Sequence, residues 1–237
     1  TQVRATQVRA TQVRASQVRA TQVRATQVRV SQVRLSLHRR LDSQACFSNA
    51  AWAGKTVLKE AIEPLGLNHE KVLVSAFDID TVVPDQFFGR LTHAFLTCEK
   101  PLRSSFQPIP IFSNNIWEAP AFARVFAFST TFWQMIQQAR PERLVTFSSQ
   151  SISLKALVDV GFWQKNMVSE DSRIFWQCFL RYDGDYRVVP LYYPVSMDAN
   201  VAPSVWNTLK NIYKQQRRWA YGVENVPYFL YGFLRIS

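Results

Sequence analysis

The rhythm of apolar and polar positions changes several times along these 237 residues. Residues 72–77 read Val-Leu-Val-Ser-Ala-Phe, a short apolar run of strand composition. The run ends at Asp78 and Asp80, and Pro84 follows in a position suited to opening a helix. Residues 85–97 put Phe87, Phe88, Leu91, Phe95 and Leu96 on one helical face. Residues 106–112 read as extended, and Pro108 and Pro110 favour the edge of a sheet. In 119–139, Phe122, Val125, Phe126, Phe128, Phe132, Trp133 and Ile136 cover most of a helix's circumference. Such a helix is either deeply buried or rests in a lipid interface, and core burial is the simpler expectation.

The second half continues with a polar loop from Ser148, a short apolar helix over 152–158 and a turn at Gly161. Ser169 is placed to cap a helix over 170–182, which Asp183-Gly184 ends. A strand over 186–193 and a helix over 202–221, dense in Lys, Arg and aromatics, come next, and residues 226–236 are aromatic and apolar. Upstream, an amphipathic stretch over 56–65 is broken by Pro64 and Gly66.

Residues 1–35 are seven pentads of the form Thr-Gln-Val-Arg-Ala. A five-residue period turns a helical valine by ~140° per repeat and flips it between the faces of a strand, so neither structure gains a continuous apolar face. The expectation is a disordered or non-globular leader over 1–40 that buries too little to offset its ordering entropy. Either it has no function or it tethers the chain to an anionic surface. Residues 41–200 form the globular core and 201–237 the last helix with an apolar tail.

Composition narrows the picture. The chain is 47% apolar, enough for a proper core, and carries a formal charge of +11. Nine of its 28 basic residues lie in 1–40 beside no acid, leaving 19 against 17 in the remainder. A nearly neutral body argues against a basic groove and a specific nucleic-acid partner. Cys46, Cys98 and Cys178 are isolated, as are His38, His69 and His93, which excludes a zinc knuckle or a disulfide framework. No run of 18 apolar residues is present, so no complete membrane span is expected.

Three stretches carry candidate chemistry. Asp78 and Asp80, one residue apart beyond a strand, can hold Mg²⁺ or Mn²⁺ against a phosphate, or simply cap a turn. On a strand Ile79 would point away and both carboxylates would face one site. Glu170 and Asp171 in a helix's first turn complement the helix dipole, and one of them can equally serve as a general base. Gln215, Arg218 and Trp219 share a helical face at i, i+3 and i+4. There the guanidinium can neutralise a departing diphosphate and the indole can stack on a sugar; a solvated basic helix with a core tryptophan is the plainer alternative.

Taken in this order, Asp-x-Asp, Glu-Asp and Gln-x-x-Arg-Trp resemble the signature of family-2 glycosyltransferases, closest to the membrane-associated, cellulose-synthase-like branch. The resemblance covers roughly residues 54–221 and takes Gly54-Lys55 as the family's Gly-Lys pair. It implies an α/β fold with a partial GT-A-like (Rossmann-like) mixed sheet, flanking helices and C-terminal interface helices. It implies Asp78 and Asp80 on the metal and nucleotide diphosphate, Asp171 as catalytic base, and Lys55, Glu170, Gln215, Arg218 and Trp219 on substrates. The implied reaction is inverting transfer from a nucleotide-diphosphate sugar to a glycan or lipid-linked acceptor, at the cytoplasmic face of a membrane. The family's opening βαβ unit has no counterpart in residues 36–53, so a chain lacking half the donor pocket, poorly soluble, is expected. A non-catalytic protein that binds membrane surfaces or anionic polymers is the alternative.

Overall fold

A computed structural model describes residues 11–12, 33–34, 45–165 and 167–235. In the leader, β1 (Thr11–Gln12) pairs antiparallel with β2 (Val33–Arg34). Apart from those two dipeptides, the expectation of a disordered leader falls outside the described residues.

The body is a mixed α/β arrangement around a four-stranded sheet of order β3-β5-β4-β6. Its strands are β3 (Leu73–Ala76), β4 (Ser104–Phe112), β5 (Gln150–Ser153) and β6 (Arg187–Met197). β5 runs antiparallel to both β3 and β4, whereas β4 and β6 are parallel. The ends of β3, β4 and β6 and the start of β5 therefore share one edge of the sheet. Alternation along β3 shows the two layers: Leu73 joins the apolar cluster of Phe87, Phe106 and Val195, and Val74 joins that of Ile152, Leu157 and Ile174.

Several expectations are corrected here. β4 is an interior strand, although Pro108 and Pro110 lie in it. Within β4, only Ser105 and Phe106 pair with β5, and the register against β6 shifts between Gln107 and Ile109. The prolines thus sit at a bulge, or where no strand lies on the β5 side. Helix α3 (Ala121–Gln138) covers that side instead: Gln138 Nε2 donates to Gln107 O at 2.9 Å and Thr131 Oγ1 to Pro110 O at 2.9 Å.

α3 is accordingly not the buried apolar helix the simpler expectation has it be. Its buried side chains are Ala123, Gln134 and Gln138, while Phe128 is 70% exposed and Val125, Phe132 and Trp133 more than half exposed. α2 (Phe87–Thr97) starts two residues later than expected and buries Phe87, Leu91 and Phe95; Leu96 faces solvent. Ile152 belongs to β5, so the short helix α4 spans only Leu154–Asp159. The amphipathic stretch over 56–65 is the end of a longer element, in which α1 (Ala45–Val57) runs into a wide turn, Leu58–Ile62.

Candidate active site

The shared edge of the sheet gathers polar groups from four strands. Asp78 lies two residues beyond β3, in a turn closed by Thr81 N donating to Asp78 O. The strand alternation invoked for Ile79 does not apply so far out, and Ile79 is 92% exposed in that turn. Ser148, just before β5, donates its hydroxyl to Asp78 Oδ2 at 2.6 Å. Asp198, the first residue after β6, donates its N–H to Asp80 Oδ2 at 3.1 Å. Asn114, beyond β4, bridges Asp80 O and Asp198 Oδ1 at 2.9 and 3.0 Å. Open α/β sheets bind ligands at this end because the loops there diverge and leave a crevice.

Helix α5 (Glu170–Arg181) brings its first turn to the same place. Thr146 Oγ1 and Gln150 Nε2 both donate to Asp171 O, fixing the turn against the start of β5. Ser169 stands at the cap position but makes no side-chain cap bond to the helix, contrary to expectation; its Oγ donates to Glu224 Oε1 at 2.8 Å.

Five ionisable residues of the site are linked through space. Asp78 is open to solvent, yet so densely surrounded by protein that loss of hydration raises its pKa. The Ser148 bond opposes that rise, Asp80 adds to it, and Arg218 counters it. Burial also raises the Asp171 pKa; Asp78 adds to the rise and Arg218 opposes it. Glu170 is raised as well, by burial first and then by Asp171 and Asp78, with Arg218 again opposing. Asp78 from the loop after β3, Glu170 and Asp171 of α5, and Arg218 of α6 (Val205–Ala220) are thus near enough to feel one another's charge.

The remaining predicted residues divide. Trp219 is half-buried, its ring set edge-on to Phe147 at 6.0 Å. With Gln215 it lines a shallow, open depression between α3 and α6, which also takes in Phe126, Thr130 and Asp198. Lys55 stands elsewhere: its ammonium lies 5.9 Å from the centre of the Phe162 ring. Gly54 beside it permits close packing, since a Cβ there would fall 2.8 Å from Phe162. The Gly-Lys pair is thus, in this chain, a packing contact of α1.

Asp78 and Asp80 offer a divalent cation hard oxygens. Each carboxylate has Oδ2 engaged by a protein donor, while Oδ1 has no hydrogen-bond partner among the described residues. No group of three or more His, Cys, Asp or Glu residues able to hold a metal occurs among the described residues. The donor set fits Mg²⁺ or Mn²⁺ held by two carboxylates, with substrate phosphates and water completing the shell.

Asn114, Asp198, Thr146 and Gln150 escape a sequence reading. Asp198 alone carries a signal, being an acid directly after a strand, in the position Asp78 occupies near β3.

Residues 73–237 match the family model for glycosyl transferase family group 2, and the chain belongs to that family. Among curated proteins, the poly-beta-1,6-N-acetyl-D-glucosamine synthases of Staphylococcus aureus strains COL and N315 are each 38% identical to it over 71 residues. That stretch is 30% of this chain and 15% of either synthase, so the match spans a small part of those relatives. No solved structure matches the chain.

Proposed function

We propose that this site transfers a sugar from a nucleotide-diphosphate sugar to a hydroxyl of a growing polysaccharide, with inversion at the anomeric carbon. The observation that carries the reading is the convergence of Asp78, Glu170, Asp171 and Arg218 at the carboxyl end of the sheet. Membership of the family and the likeness to a polysaccharide synthase support it.

Asp171 accepts the proton of the acceptor hydroxyl as that oxygen bonds to the anomeric carbon and the bond to the diphosphate breaks. Arg218 offsets charge on the departing diphosphate. Asp78 and Asp80 would hold a divalent cation, which would supply charge neutralisation at the diphosphate. Glu170, whose own proton affinity is raised by burial and by Asp171, is placed to bind a substrate hydroxyl. Trp219 and Gln215 face the depression an acceptor sugar would enter. The test is incubation with UDP-N-acetylglucosamine, MnCl₂ and an N-acetylglucosamine oligomer. Release of UDP with lengthening of the oligomer is expected; failure to bind UDP–Mn²⁺ at all overturns the reading.

A membrane surface is the proposed location. Exposed Phe128, Phe132 and Trp133 of α3 and Trp206 and Tyr213 of α6 favour it, with the basic side chains of α6 interleaved. No described helix is long and apolar enough to cross a membrane. The cytoplasmic face is part of the same proposal, since nucleotide sugars are made inside cells. Flotation with vesicles containing anionic lipid, unchanged by Asp171→Asn, is the expected result.

A further inference from the structure

A buried polar network lies between α5 and α7 (Asn225–Phe233), outside the carboxylate cluster but directly behind it. Arg173, two residues after Asp171, is only 7% exposed. Its Nε donates to Asn225 Oδ1 at 2.7 Å, Nη1 to Gln164 Oε1 at 3.3 Å and Nη2 to Glu224 O at 3.3 Å. Its guanidinium carbon lies 3.8 Å from the centre of the Tyr228 ring. Asn225, 6% exposed, sends Nδ2 to Ser172 Oγ at 2.9 Å. Ser169 Oγ donates to the Glu224 carboxylate at 2.8 Å.

The residues engaged on α5 are thus 169, 172 and 173, which bracket Glu170 and Asp171. Their partners, Glu224 and Asn225, follow the end of α6, the helix that carries Arg218 and Trp219. A buried guanidinium set among amides, an aromatic face and the nearby Glu224 carboxylate is a costly device for packing alone, since an apolar residue would fill the space without loss of hydration. Stacking of Trp176 on Phe229 at 4.8 Å, and the close approach of Gly232 to Leu180, leave this interface little room to slide.

We infer that Arg173 and Asn225 are positioning residues, a pin that holds the acid pair of α5 at a fixed distance from the Arg218 end of α6. This rests on the proposed roles of Asp171 and Arg218. The pin links two parts of the site that no strand joins. Thr146 and Gln150 tie α5 to the sheet from the other side. Asp78 and Asp80 reach the site from a separate loop, so loosening the pin separates base from clamp and leaves the cation ligands in place.

Asn225→Ala, Asn225→Asp, Arg173→Lys and the milder Ser172→Ala test it by steady-state kinetics with UDP-N-acetylglucosamine and MnCl₂, thermal melting, and hydrogen–deuterium exchange. Asn225→Ala and Arg173→Lys are expected to lower kcat at least tenfold with the donor KM within twofold of wild type. Asn225→Asp, which still accepts from Arg173, is expected to recover most of that loss. Exchange should quicken together at residues 169–173 and 218–225 while β4 and β6 stay protected, and Ser172→Ala should give a smaller version of the same pattern. A kcat loss that only follows Tm across the series, or faster exchange confined to the substituted element, overturns the inference. A wild-type chain that turns over no donor counts against the proposed reaction instead, and the exchange pattern alone then decides the pin.

Discussion

Helices α3 and α5 both pack on the sheet, and they place their large apolar side chains on opposite sides. α5 hides Ile174, Phe175 and Cys178, together with Arg173 and Gln177, and holds its acids at the start, as an amphipathic pattern suggests. α3 hides Gln134 and Gln138 and turns Phe128, Phe132 and Trp133 outward. The difference follows from what each helix meets. α5 meets an apolar cluster that accepts hydrocarbon. α3 meets the flank of β4 where β5 has ended, and there the backbone needs hydrogen-bond partners. Periodicity shows that a helix has an apolar face; whether that face is the buried one depends on the surface opposite.

The sharpest way to break the comparison is at the start of α5. Asp171→Asn should lower kcat by ~10²–10⁴-fold, the usual range for removing a positioned base, measured as UDP release. The same change should raise Tm at pH 8. Asp171 has a folded pKa above its unfolded one, so its contribution to stability is complete in acid and is lost as pH rises through the raised value. Removing the charge removes that loss, a gain of ~1 kcal/mol. If Asp171 is instead a dipole partner of α5, the substitution should lower Tm and spare turnover. For the wild type, the base works only once deprotonated, so kcat should rise with pH along a limb lying above the ordinary carboxylate range. A limb near pH 4 contradicts the raised pKa.

Asp78→Ala and Asp80→Ala should come next, each weakening UDP–Mn²⁺ binding by at least about tenfold in a titration, through loss of a cation ligand. On α3 the effect is on folding. Gln138→Leu keeps the shape but leaves Gln107 O and Tyr192 N without their partner, at a cost of ~2 kcal/mol in urea unfolding. A Gln138→Leu chain as stable as wild type would show that α3 covers β4 without replacing its missing strand.

How much of this was legible in the sequence depends on whether the relevant physics is local. Helix α2 and the acid-led α5 follow from periodicity and helix-end chemistry. The mixed α/β class and the candidates Asp78, Asp171 and Arg218 come from the family resemblance that their short motifs carry. The interior place of β4 does not, because two prolines in seven residues favour an edge unless it is known that β5 stops at Phe106 and that β6 shifts register there. The contacts of Asn114 and Asp198 around Asp80 are equally non-local, joining residues 34 and more positions apart. Lys55 is the converse case: the resemblance singles out the Gly-Lys pair, and the approach of Phe162 adds a packing reason for the glycine that the motif does not state.

The smallest effect concerns the outward face of α3. Phe128 and Phe132 stack on one another at 6.3 Å, both largely in water, so the double substitution Phe128→Ser and Phe132→Ser removes little buried surface. Stability should change by no more than ~0.5 kcal/mol, in contrast to Gln138→Leu on the same helix. Partition onto anionic vesicles should fall about tenfold if these rings enter the headgroup region, since each would lose apolar area withdrawn from water. A double variant that melts several degrees lower assigns the pair to the fold. One that melts normally and binds vesicles like wild type assigns membrane contact to α6 and its lysines alone. Only loss of vesicle binding with melting unchanged makes α3 the counterpart of α5: one helix turned towards the core, the other towards lipid.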